Sequence, residues 1–239
     1  MKQLLSLFLL LSCLLGPVSA EDGSRLWLRQ STDAHAQITA PRQSPTLNIA
    51  VRELKQAWKG LPVTLVLKKD KQLSSEGFRI RQANGKLTVT SPSETGLLYA
   101  AYHLIRLQEM RNFGKPSETD LEITENPAYD LRILNHWDNL DRSIERGYAG
   151  KSLWNWEELP GTLSDRYEAY ARANASIGIN ATVLNNVNAS SKILSAEYLE
   201  KVKALADIFR PYGIKVYLSI NFASPMQLGG LSTADPLDK

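Results

Sequence analysis

Cysteine and histidine are nearly absent from this chain. One cysteine and three histidines occur among 239 residues. Cys13, His35, His103 and His136 stand too far apart for metal-ligand spacing, so no metal or cofactor is expected. Charge of one sign is also missing. The net charge is only +3, spread along the chain without a basic block, which excludes a nucleic-acid partner. No G-x-G-x-x-G follows any strand-like run, which argues against a dinucleotide fold. Apolar runs of membrane-spanning length are lacking too, so an integral membrane protein is not expected.

What is present begins with an export signal. Lys2 supplies a positive end, Leu4–Leu15 is almost unbroken apolar text, and Val18-Ser19-Ala20 offers a signal-peptidase site. Residues 1–20 are read as a signal peptide cut after Ala20, with a periplasmic or extracellular product. The alternative is a lipoprotein site at Leu10-Leu-Ser-Cys13, with Cys13 as the lipidated first residue.

Residues 21–125 read as a small α/β unit. Leu26-Trp-Leu28 is a strand candidate. Ile49, Leu54, Ala57 and Trp58 recur near helical spacing, and Gly60 with Pro62 ends that helix. Val63–Leu67 follows as a strand. Ala83-Asn84-Gly85 marks a hairpin between strands at Gly77–Arg81 and Lys86–Thr90. Ser91, Pro92 and Glu94 predict a capped helix start. Leu97, Leu98, Ala101, Leu104, Ile105 and Gln108 then trace one helical face, and Asn112–Asn126 reads as a linker.

From residue 126 the rhythm changes. Strand runs at Leu131–Leu134, Ala181–Leu184 and Lys215–Ile220 alternate with helices near Leu163–Ile177 and Ala196–Phe209. Gly178 and Gly213 sit where helix C-caps belong. This alternation implies a parallel sheet. Each strand breaks into polar text, at His136–Asn139, Asn185–Asn188 and Asn221–Ser224. Active sites of (β/α)8 TIM barrels are built at those strand ends. A barrel runs to roughly 250 residues, whereas residues 127–239 hold three strands and two helices. The expected fold class is therefore α/β: a small N-terminal α/β sandwich, then the first three strands of a truncated TIM barrel.

The long segment after the first barrel strand carries Trp137, Asp138, Asn139, Asp141, Glu145, Arg146, Tyr148, Trp154, Trp156 and Glu157. Connections beyond about 12–15 residues are usually functional or disordered, and disordered segments are poor in aromatics. Aromatic faces beside carboxylates, amides and a guanidinium suit a site that grips a sugar.

Asn135-His-Trp-Asp-Asn-Leu-Asp141, followed by Glu145-Arg-Gly-Tyr-Ala-Gly150 and Ser152-Leu-Trp154, resembles the α-glucuronidases of glycoside hydrolase family 67. The resemblance extends over nearly all of the chain after the signal, including Gly178-Ile-Asn180 and Leu184–Asn188. The leading unit also resembles the first domain of β-hexosaminidases. The resemblance implies an inverting glycosidase that releases 4-O-methyl-glucuronic acid or glucuronic acid from xylan-derived aldouronic acids. Its partners are then xylo-oligosaccharides carrying glucuronic acid. It also implies that the catalytic carboxylates lie beyond residue 239, so the fragment itself is expected to be inactive.

The substrate-wall candidates are Trp154, Trp137, Asp138, Asn139, Arg146, Asn185, Asn186 and Asn188. Trp154 is either a stacking face or a loop anchor, and Trp156 is the alternative pocket tryptophan. Trp137 divides between pocket and core. Asp138, Asn139 and Asp141 either bind hydroxyls or make strand-end turns. Arg146 either pairs with a uronate or braces the loop through Glu145 or Asp141. His136 reads as structural, and Glu157-Glu158 as a solvated pair. The competing reading is a non-catalytic carbohydrate-binding or scaffold protein that keeps only the pocket wall. Nothing in the sequence sets the oligomeric state.

Overall fold

Ser44 starts the first helix. In the computed structural model, which describes residues 27–28, 35–110, 122–235 and 237, its side chain accepts the Leu47 N–H at 3.2 Å. Pro45 follows at the start of the helix, where its missing N–H costs nothing. The leading elements are β1 (Ile38–Thr39), α1 (Pro45–Ala57), β2 (Val63–Leu67), β3 (Phe78–Ala83), β4 (Lys86–Ser91), α2 (Glu94–Glu109) and β5 (Glu122–Glu125). The five strands form one sheet in the order β1-β2-β4-β3-β5.

The expected hairpin is present. Asn84 and Gly85 have φ of 51° and 71°, the left-handed pair that a tight two-residue turn requires. Phe78, Ile80, Leu87 and Val89 are buried beneath α2, while Arg79, Arg81, Thr88 and Thr90 stay on the more open face. Leu97, Leu98, Ala101, Leu104 and Ile105 are fully buried, as their spacing requires.

Three local expectations are corrected. The cap of α2 is Ser93, which accepts the Gly96 N–H at 3.1 Å. Ser91 is claimed by the ladder, where it pairs with Leu67, and its hydroxyl donates to Gly77 O at 2.7 Å. Glu94 closes no capping box, since it binds Arg42 and accepts the Ser44 hydroxyl at 2.7 Å. The reputed linker ends in a strand, because β5 pairs antiparallel with β3. Trp27 and Leu28 are turn and coil rather than strand.

The second part holds β6 (Ile133–Asn135), α3 (Asp165–Ser176), β7 (Ala181–Val183), α4 (Ala196–Phe209), β8 (Lys215–Tyr217) and α5 (Ser224–Gly229). The three strands are parallel in the order β6-β7-β8. Paired segments are shorter than the apolar runs that foretold them. Gly213 follows the short turn after α4 with φ 75°, and a Cβ there would sit 2.5 Å from Thr95 Cγ2. Glycine is needed at this point for both backbone and clearance.

The two sheets share one apolar cluster, running from Leu47 and Leu98 to Trp154 and Phe209. Buried polar links join them as well. Arg172 Nε and Nη2 each donate to one Glu53 carboxylate oxygen at 2.7 Å, and the Glu53 side chain is only 2% exposed. The Tyr212 hydroxyl donates to Glu168 at 2.7 Å and accepts from Arg52 at 2.9 Å. Arg132 pairs with Glu76, which Asn180 also meets at 3.1 Å. No helix among the described residues is long and apolar enough to cross a membrane. Residues 1–20, with Cys13 and the signal peptide expected there, lie outside the described residues.

Candidate functional site

The site grows from the C-terminal end of β6. His136 N–H still bonds Val183 O at 3.1 Å, continuing the pairing one residue past the strand. The chain then folds back on itself through two antiparallel bridges, Asp138 with Ile144 and Ser143 with Lys151. Asn139 fastens the turn: its side-chain amide donates to Ser143 Oγ at 3.0 Å and Glu145 O at 2.9 Å. Asp141 accepts the Ser143 hydroxyl at 2.6 Å and N–H at 2.9 Å, bonds that hold its carboxyl below the usual range. Arg142 and Glu145 adopt φ of 70° and 55° without being glycine. Side chains rarely tolerate that region, so these bonds overrule the local preference.

Beneath the loop lies a buried polar chain. The Asp138 carboxylate, 3% exposed, accepts the Ser152 hydroxyl, and Ser152 Oγ accepts the Trp154 N–H at 3.0 Å. His136 Nδ1 lies 3.9 Å from Asp138, and its Nε2 lies 2.8 Å from the Tyr170 hydroxyl. Tyr170 in turn meets Thr182 Oγ1 at 3.0 Å. This arrangement binds β6, β7, α3 and the loop together. Asn186 N–H donates to Asp138 O at 2.8 Å, which ties the end of β7 to the same loop.

Burial depresses the pKa of His136, with Asp138 opposing, and that of His103, with Arg106 assisting. Between the depressed folded values and the unfolded value near 6.5, the unfolded chain binds more protons. Stability is therefore expected to fall as pH drops from about 6.5 toward 5. Thermal melts of the wild type and of His136→Gln across this window check the point. The variant profile should be flatter; an unchanged slope would acquit His136.

Residues 112–239 match the family model of the glycosyl hydrolase family 67 middle domain. The chain belongs to glycosyl hydrolase family 67. It is 43% identical to probable alpha-glucuronidase A of Aspergillus clavatus, over 70% of this chain and 19% of that protein. It is 36% identical to alpha-glucuronidase A of Aspergillus tubingensis, over 96% of this chain and 31% of that protein. The chain thus spans less than a third of the length of these two curated relatives. Among solved structures it is similar to a GH138 enzyme targeting pectin rhamnogalacturonan II. That match has a TM-score of 0.53 at 16% identity and covers 81% of this chain and 26% of the other, a likeness of fold.

In this family 67 chain Trp154 and Trp156 do not sit where a stacking face needs them. Trp154 is fully buried, with its ring 5.2 Å from His136 and Tyr170, 5.8 Å from Phe209 and 5.9 Å from Tyr167. Trp156 is 1% exposed beside Tyr198, and its carbonyl takes Lys201 at 2.8 Å. Both fill the space between the loop and α3 and α4. The loop-anchor alternative fits this burial, and the expected free face of Trp154 is corrected. Exposed instead are Trp137 at 47%, Asn188, and Arg146, whose side chain is 88% exposed and only 3.9 Å from Glu145. Asn139 is committed to its turn. Asn185 is buried and mimics a strand partner, exchanging two bonds with Ser219 at 2.9 and 3.0 Å. Asn186 Oδ1 accepts the Asn188 N–H at 2.8 Å.

Val187 and Phe222, 45% and 90% exposed, stand a few residues beyond the ends of β7 and β8. Their signal was available: each is an apolar residue directly following a strand-end asparagine. Glu157 and Glu158 are exposed, as a solvated pair would be. Among the described residues no cluster of three metal-ligating side chains occurs.

Proposed function

We propose that this chain is the leading part of a secreted α-glucuronidase. It would release 4-O-methyl-glucuronic acid or glucuronic acid from xylan-derived aldouronic acids, with inversion at the anomeric carbon. The observation that carries this reading is the joined strand-end loop in a family 67 chain. Its fixed backbone, exposed Trp137 and exposed Arg146 offer a ring face and a bidentate cation. Trp137, Val187, Asn188 and Arg146 form the proposed substrate wall. Asp138, Asn139, Asn185 and Asn186 hold that wall in shape.

The finer fold belongs to this proposal. The leading sheet and its two helices correspond to a hexosaminidase-like α/β sandwich, and β6, β7 and β8 to the first three strands of a TIM barrel. Ile133 and Leu134 on β6 and Ile220 after β8 stay 37–55% exposed, which suits cover by later strands. An inverting acid and base stand roughly 6.5–9.5 Å apart to admit a water, and both are assigned to later strand ends beyond residue 239. Export through residues 1–20, with cleavage after Ala20 or lipidation at Cys13, completes the reading.

The test is proton NMR of aldotriouronic acid with the full-length protein. The uronic acid should appear first as its β-anomer, while the 239-residue chain alone releases none. Early α-anomer would overturn inversion. Binding without turnover by the full-length protein would establish the scaffold reading instead.

A further inference from the structure

A cavity of about 210 Å³ lies where the leading sheet meets the second part of the chain. Tyr99, His103 and Arg106 line it from one face of α2. Arg132, Ile177 and Gly178 line it from the segments just before β6 and β7. The cavity thus sits at the N-terminal ends of the parallel strands, whereas the loops described above leave their C-terminal ends. Its polar groups are not matched to one another. Tyr99 is only 7% exposed, and its buried hydroxyl makes no hydrogen bond among the described residues. Arg132 lies over the Tyr99 ring at 5.8 Å, but its three guanidinium nitrogens already donate to Gly178 O, Tyr129 O and Glu76. His103 meets the Phe78 ring at 5.3 Å, and neither imidazole nitrogen has a hydrogen-bond partner among the described residues. Burial keeps both groups uncharged: it lowers the pKa of His103, with Arg106 assisting, and raises that of Tyr99. An unpartnered buried hydroxyl costs stability, a cost that a hydrogen-bonding ligand would offset.

Charge, size and hydrogen bonding define the occupant. Glu76 and Arg132 neutralise each other as an ion pair. Arg106 and Glu125 add one charge of each sign, so the lining carries no net charge and favours a neutral molecule. The volume is below the roughly 300–1,000 Å³ of drug-sized sites, which limits the occupant to a single ring. Tyr99, His103, Arg106 and Glu125 supply donors and acceptors together. Phe78, Pro127 and Ile177 supply apolar surface beside them. A ring with hydroxyls at its edge and C–H groups on its face satisfies both. We propose that this cavity binds one neutral pyranose at the joint between the two sheets. The inference goes beyond the α-glucuronidase reading and does not rest on it.

The test is calorimetric titration of the full-length protein with D-xylose and D-glucose. Tyr99→Phe removes only the unpartnered hydroxyl and should weaken the sugar that binds about tenfold. Without sugar, this variant should melt at or above the wild-type temperature, because no hydrogen bond is lost. Ile177→Trp, at a residue 63% exposed, narrows the entrance without touching Tyr99 or His103 and should weaken binding as much. Bound sugar should raise the melting temperature of the wild type more than that of either variant. Turnover of aldotriouronic acid without added sugar should be the same in Tyr99→Phe as in wild type. Absence of heat from both sugars would overturn the proposal, as would affinity within about twofold of wild type in both variants. A Tyr99→Phe protein that melts several degrees lower would overturn it too, since the hydroxyl would then have a structural partner. D-glucuronate that loses as much affinity in Tyr99→Phe as the neutral sugars would assign the cavity to an anion instead.

Discussion

Trp154→Ala is expected to destabilise this chain by about 3–5 kcal/mol, the cost of truncating a large aromatic in a packed interior. For a chain of this size that lowers the melting temperature by roughly 6–20 °C. The ring is fully buried among His136, Tyr167, Tyr170 and Phe209, and its removal leaves a cavity bounded by four aromatic side chains. The backbone N–H of residue 154, which closes the chain of bonds from Asp138 through Ser152, survives in the variant, so the cost is one of packing. Trp137→Ala is the contrast. Half of this ring is already in water, so melting should move little. Loss of a binding face costs about 1–3 kcal/mol, or roughly ten- to hundredfold in kcat/KM of the full-length protein. Melting curves and kinetics measured on both variants separate the roles. A Trp154→Ala protein that melts like wild type but binds aldouronic acid poorly would return Trp154 to the pocket.

The second large effect concerns the link between the two sheets. Arg172→Met leaves Glu53 buried without its bidentate partner, which is expected to cost about 3–5 kcal/mol. The Glu53 carboxylate keeps the Arg172 guanidinium above its usual pKa, an effect of their hydrogen bonding. Glu53→Gln combined with Arg172→Met removes the charge as well as its partner, so much of the loss should return. Urea unfolding of the single and double variants gives the comparison, with an unchanged slope certifying that stability alone has moved. If Arg172→Met lowers the unfolding free energy by less than about 1 kcal/mol, Glu53 reaches solvent in the variant and the joint is looser than its geometry indicates.

Much of the architecture was legible from local pattern. Asn84-Gly85 specified a hairpin because few residues accept two successive left-handed positions. The face from Leu97 to Ile105 announced a covering helix, and α4 runs over Ala196–Phe209, where its periodicity placed it. Strand ends rich in asparagine marked the edge of β6, β7 and β8 from which the candidate site grows. These features are short-range, and the residues concerned carry their own instructions.

By itself, the sequence determined the order of elements, the parallel character of the second sheet and a motif dense enough to reveal family 67. Tertiary structure alone decided what the polar and aromatic residues within that motif do. Trp137 and Trp154 are the same residue type in one loop, yet one faces water and the other fills the gap over α3 and α4. Ser91 resembled a helix cap until the pairing of β4 with β2 claimed it. Asn185 resembled a sugar ligand until Ser219, far along the chain, took up both ends of its amide. The physical reason is common to all three. A side chain's role is set by which distant group competes for its surface or its hydrogen bonds, and such competition exists only once the chain has closed on itself.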